Sequence, residues 1–180
     1  MAICDRYLID SDVLIGAQNG YYNNHFCKAF WEWLEQGHRG GLFFSIDKVK
    51  EEIKKGDKED FLVKWINKED LNSFFLDSKT CLLEYSRILN WANEDWTKGK
   101  DRNKTRKALE NISAEHKADA WLVAYAIANK FMIVTNEVSS KDSLTNIKLP
   151  DIAEAFNIKA YSLHKLLVRH ATDNFRFKKS

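Results

Sequence analysis

What most restricts the fold of this chain is a set of apolar runs too short for helices, separated by longer stretches with helical periodicity. Tyr7-Leu8-Ile9, Leu42-Phe43-Phe44 and Phe131-Met132-Ile133-Val134 read as buried strands, and residues 159–161 as a last one. Phe74-Phe75-Leu76 fits a strand or a loop. Strands that are apolar on both sides belong in a parallel sheet covered on both faces. Residues 24–36 place Phe26, Ala29, Phe30, Trp33 and Leu34 on one helical face, closed by Gly37 and Gly40-Gly41. Ser45 is the expected cap of a helix to about residue 55, with Ile46, Val49 and Ile53 inward. Further helices are expected over residues 59–66, 80–93, from Ser113 to about 129, from Pro150 onward, and over 163–169, while residues 98–107 read as a basic polar stretch. Helices alternating with short strands define an α/β fold with a mostly parallel sheet.

Composition narrows the class of function. With 180 residues, 44% hydrophobic and 30% charged, one globular domain is expected, set at residues 1–170 with a basic tail at 171–180. Twenty-eight basic against 26 acidic residues leave a formal charge of +2, so affinity for nucleic acid has to come from local patches. Cys4, Cys27 and Cys81 form no CxxC pair, which points to reduced thiols and a cytoplasmic protein. No signal segment opens the chain, and the apolar stretch 118–128 is too short to span a bilayer. GxxxxGK, GxGxxG, GxSxG and HExxH are absent, and His25, His38, His116, His164 and His170 show no ligand spacing.

Four acids stand out by position. Asp10 follows the first strand, at the sheet edge where ligands bind in open α/β folds; either it or Asp12 can cap the next helix. Glu52 lies about a quarter-turn from the core direction set by Ile46, Val49 and Ile53, at about 100° per residue, whereas Glu51 points to solvent. Asp119 is the only residue outside the apolar set between Ala118 and Ala128, and a buried carboxylate needs a partner. With Ser113 as cap it falls in the second turn, too deep for capping. Glu137 lies just past the strand ending at Val134. Each has a plain structural explanation as a turn, flank, ion-pair or loop residue. Together they form an oxygen-only set suited to Mg²⁺ or Mn²⁺ rather than Zn²⁺.

At this point the sequence resembles the PIN-domain nucleases. The likeness rests on DSD at 10–12, VKEE at 49–52, HKADAWLVAYA at 116–126 and TNE at 135–137. FWEWL at 30–34, IVTNEV at 133–138 and KLPDIAEAFNIKAYSL at 148–163 look like a PIN-like subfamily catalogued mainly as of unknown function. Asp12 and Glu137 depart from the family, where many members have Asn and Asp. The resemblance implies a three-layer sandwich with a central sheet of four or five short strands. It implies Asp10, Glu52, Asp119 and Glu137 as metal or catalytic residues, with Asp12 and Thr135 supporting. It also implies Mg²⁺- or Mn²⁺-dependent cleavage of RNA, a toxin–antitoxin pairing with a small antitoxin protein, and a homodimer.

Positive charge for RNA is expected from Lys48, Lys54 and Lys55 beside Glu52 and from Arg102, Lys104 and Arg106 within the run Lys98 to Lys107. A second cluster, Arg169, Arg176, Lys178 and Lys179, interleaves with Phe175 and Phe177; charge runs of either kind are more often solvated surface. The six tryptophans read as core, with a stacking role open to one. Two other functions compete. Asp10-Ser11-Asp12 resembles the nucleophile motif of haloacid-dehalogenase-like phosphatases, although no acidic strand-end pair follows Glu137. A degenerate PIN-like scaffold without activity is the non-enzymatic reading.

Overall fold

The computed structural model describes residues 5–178, so Cys4 and Lys179 lie outside the described residues. Five strands form one all-parallel sheet: β1 (Tyr7–Ile9), β2 (Phe43–Ile46), β3 (Phe75–Leu76), β4 (Met132–Val134) and β5 (Ala160–Tyr161), in the spatial order β3-β2-β1-β4-β5. Tyr7 is in register with Phe43 on one side and Met132 on the other. The chain steps outward from β1 to β3, then crosses back to place β4 beside β1. The connections leaving β1 and β4 therefore diverge and open a crevice at their carboxyl ends.

Helices cover both faces. On one side lie α2 (Lys28–Arg39) and α9 (Leu163–His170); on the other α7 (Asp119–Asn129) packs on the sheet beneath α5 (Leu82–Trp91) and beside α8 (Leu149–Ala155). The remaining helices are α1 (Ser11–Asn19), α3 (Asp47–Ile53), α4 (Phe61–Trp65) and α6 (Arg102–Ser113). Strand alternation assigns the aromatics: Tyr7 and Phe43 meet His170 and Trp33 on the α2 side, and Phe44 meets Phe131, which packs on Tyr125 of α7. Trp121 stacks on Tyr85 of α5 with ring centres 3.8 Å apart. No helix among the described residues is long and apolar enough to cross a membrane.

Several local expectations are displaced for physical reasons. Ser45 does not cap α3; it is buried within β2 and donates to the Ile9 carbonyl (2.7 Å). The basic stretch from residue 98 is helical from Arg102, capped by Asp101, whose side chain accepts from Asn103 N. Ser113 ends that helix instead of starting the next, since its hydroxyl turns back to the Leu109 and Glu110 carbonyls. Phe75–Leu76 is a strand, paired with Ser45 and Ile46. Residues 171–178, expected as a basic tail, fold onto the domain: Phe177 stacks on Trp33 and packs on Phe43, Phe175 packs against Tyr22 and Phe30, and Ala171 bridges Phe177. Two rings spent on the core are not free to stack on bases.

Gly37 shows how closely α2 approaches the sheet. A Cβ there would stand 2.1 Å from Phe43 Cδ2, and Phe43 is fully buried with nowhere to turn. Gly37→Ala is expected to cost about 3 kcal/mol by overpacking, read as a fall in urea midpoint; an unchanged midpoint would mean that the α2 contact yields easily.

Candidate functional site

The crevice between β1 and β4 gathers the acids. In a parallel crossover the helix preceding a strand starts at the edge where the strands end, so the first residue of α7, Asp119, arrives beside the residues that follow β1 and β4. Asp119 therefore stands at the first helical position, not the second turn. Glu52, in the last turn of α3, reaches the same edge.

Asp10 is 3% exposed. It caps α1 by accepting from Ser11 N (2.7 Å) through Oδ1, while its Oδ2 accepts from Thr135 Oγ1 (3.0 Å). Capping and facing the crevice are thus one role. Asp12 reaches across to the residues after β4, accepting from Asn136 N (2.9 Å) and more weakly from Thr135 Oγ1 (3.4 Å). The Thr135 hydroxyl in turn accepts from Glu137 N (3.1 Å), so one buried threonine connects three of the acidic residues. Glu52 joins α3 to two neighbours: Oε2 accepts from Ser11 Oγ (2.8 Å) and Oε1 from Ala118 N (3.1 Å). It supplies the acceptor that the start of α7 lacks locally. Glu137 is held by Lys148 Nζ (2.9 Å) on Oε1 and by Leu149 N (3.0 Å) on Oε2.

The Asp119 carboxylate differs from the others in making no hydrogen bond among the described residues. Burial, then the charges of Glu137 and Glu52, push its carboxyl from an ordinary 3.8 up to about 7. Asp10 is driven well above the usual carboxylate range by burial and then by Asp12 and Asp119. Asp12 is raised by burial, with Glu137 adding to it. These mutual effects place the acids within one electrostatic neighbourhood.

As the side chains stand, no three His, Cys, Asp or Glu residues among those described close on a single ion position. The hydrogen bonds give the reason: Glu52 is turned toward Ser11 and Ala118, and Glu137 toward Lys148 and Leu149. The donor chemistry still fits a hard divalent cation. All candidates are oxygen ligands, and Asp119 is a charge without a counter-ion bonded to it.

Asp119 and Glu137 open onto a cleft of about 370 Å³ lined by Lys107, Asn111, Lys117, Thr145 and Asn146 over Ala108, Ile112, Ala120 and Ile147. The lysines at the site are therefore Lys107, Lys117 and Lys148, not those expected from spacing. Lys48 is 5% exposed and spent on Glu51 (3.4 Å) and Glu115 (4.0 Å), which corrects its assignment to a phosphate. Arg102 and Arg106 line a separate groove with Leu89, Asn93 and Thr97, and Arg106 pairs with Glu110. Lys54, Lys55 and Lys104 are exposed but line neither cleft. Of the second basic cluster, Arg169 pairs with Asp5 and Lys178 donates to the Val168 carbonyl.

A family model described as "Domain of unknown function (DUF4411)" matches residues 7–174. No curated protein and no solved structure matches the chain.

Proposed function

The chain belongs to the DUF4411 family, and from the geometry of its acids we propose that it is a PIN-like, Mg²⁺- or Mn²⁺-dependent ribonuclease. The observation that supports this most is Asp119: a carboxylate without a hydrogen bond, pushed up to about 7, beside Glu137 and Glu52 and at the same sheet edge as Asp10. A site that gathers repelling acids around one bonded to no cation, with Lys148 spent on Glu137, is suited to a divalent ion.

Asp10 and Asp119 would hold the ion, with Glu137 and Glu52 joining when released from their present partners. Such an ion polarises a phosphodiester and lowers the pKa of a coordinated water. The protein's own contributions are positional. Thr135 and Ser11 N fix the Asp10 carboxylate from two sides. If Glu52 stays with Ser11 Oγ instead of joining the ion, it is the carboxylate left to accept a proton from the attacking water. The lysine-lined cleft gives the substrate backbone somewhere to lie. A small protein inhibitor covering the crevice and a homodimer belong to the same proposal. The phosphatase alternative is less well supported, because both Asp10 oxygens are engaged and the side chain is buried, leaving little of it open to a phosphoryl group.

The test is titration calorimetry of Mn²⁺ into metal-stripped protein, alongside cleavage of single-stranded RNA with and without EDTA. Saturable heat and EDTA-sensitive cleavage are expected. Folded protein giving neither would leave the scaffold reading; an acid-stable phosphoryl adduct on Asp10 would favour the phosphatase.

A further inference from the structure

The basic run of residues 98–107 divides when it folds. As α6 winds from Arg102 to Ser113, Arg102 and Arg106 turn toward one groove and Lys107, with Asn111 one turn on, toward the acidic crevice. Lys117 meets Lys107 at that cleft from the turn before α7, and Thr145 and Asn146 close its far side from the loop ahead of α8. Lys107 and Lys117 are exposed and form no ion pair among the described residues, unlike Lys48, Arg106 and Lys148. The cleft thus combines two ammonium groups without an ion pair among the described residues, two carboxamides and an apolar floor of Ala108, Ile112, Ala120 and Ile147, with Asp119 and Glu137 on its wall. Its volume of about 370 Å³ falls at the lower end of ligand pockets, roughly 300–1,000 Å³.

From this arrangement we infer that the cleft is a subsite for one nucleotide of a single-stranded RNA, its phosphate on Lys107 and Lys117 and its base over the apolar floor against Asn111 and Asn146. The inference rests on the ribonuclease reading and names where its substrate sits. A carboxamide offers both a donor and an acceptor to a base edge, and unpaired bases are the parts of RNA that proteins read by sequence. The cleft lies against Asp119 and Glu137, so a nucleotide there is adjacent to the phosphodiester presented to the acids. Arg102 and Arg106, though in the same helix, would not touch that strand.

The experiment measures anisotropy of a short fluorescein-labelled single-stranded RNA of mixed sequence, in an Asp119→Asn parent so that cleavage does not interfere. Lys107→Ala/Lys117→Ala should weaken binding about tenfold or more and lower the salt slope by roughly 0.7, the share of the one phosphate the two lysines hold. Arg102→Ala/Arg106→Ala should change affinity less than about twofold. All four side chains are exposed, and circular dichroism melts check that each variant is folded. If the parent binds RNA but the lysine pair is indifferent, or the arginine pair weakens it more, the subsite is wrong and the ribonuclease proposal stands. If the folded parent binds no RNA, the subsite falls; the ribonuclease reading falls only if the wild type gives neither Mn²⁺ heat nor cleavage.

Discussion

Asp119→Asn is expected to abolish Mn²⁺ uptake and slow RNA cleavage about a thousandfold, equivalent to ~4 kcal/mol in the barrier, while raising the melting temperature of the metal-free protein. Both signs follow from one side chain. The folded state holds the Asp119 proton up to about pH 7 against an ordinary 3.8, so between those values it binds a proton that the unfolded chain has released. Stability of the wild type therefore falls as pH rises through that window. Linkage alone gives up to ~4 kcal/mol, which partial exposure of the side chain reduces to about 2 kcal/mol. The neutral carboxamide of the variant carries no such penalty. The melting temperatures of variant and wild type should nearly coincide at pH 4 and separate by about 6 °C at pH 8. The groups facing Asp119 are Glu137 and Glu52, which enlarge the gap, and Lys117 and Lys148, which reduce it. Equal melting temperatures at pH 8 would mean that the carboxylate is already neutralised; retained Mn²⁺ binding would remove it from the site.

Lys148→Met should act in the opposite direction on both properties. The ammonium bonds Glu137, and its charge also acts on Asp119 and Asp12. It is the cation the metal-free site already contains, and a divalent ion has to displace it to recruit Glu137. Removing the charge while keeping the aliphatic stem should tighten Mn²⁺ about tenfold, or ~1.4 kcal/mol. The metal-free protein should melt about 3 °C lower, because a partly exposed ion pair contributes about 1 kcal/mol. Lys148→Arg, which keeps the charge, should titrate like the wild type. Unchanged or weaker Mn²⁺ binding by Lys148→Met would show that the lysine positions Glu137 for the ion instead of competing with it.

The central strands and the four acids were legible because each is a local pattern: a short apolar run, then a carboxylate, or a carboxylate within an apolar helix. What local pattern does not encode is the partner chosen across the fold. Ser113 has the chemistry of a cap, yet its hydroxyl finds carbonyls of its own helix, and the start of α7 is completed by Glu52 from 66 residues away. Lys48 is as basic as Lys107, but the packing of α3 buries one and α6 exposes the other. Lys148 was not read as a site residue, and only its distance to Glu137 identifies it; the one available signal was a lysine just before Leu149-Pro150 at a helix start. Phe175 and Phe177, interleaved with basic residues in the sequence, are taken up by Trp33, Phe43, Tyr22 and Phe30 in the fold.

Tyr7 and Asp5 are held by His170 and Arg169, and β1 itself is flanked by strands drawn from residues 43–46 and 132–134. The first strand of this sheet in chain order thus waits at its centre for its last neighbours. Such distant pairing slows folding and leaves an apolar edge open to other chains in the interval. Deleting residues 169–178, which removes the Arg169 and His170 contacts to Asp5 and Tyr7, should accordingly lengthen that interval, and refolding yield at rising protein concentration is where the loss would first be seen.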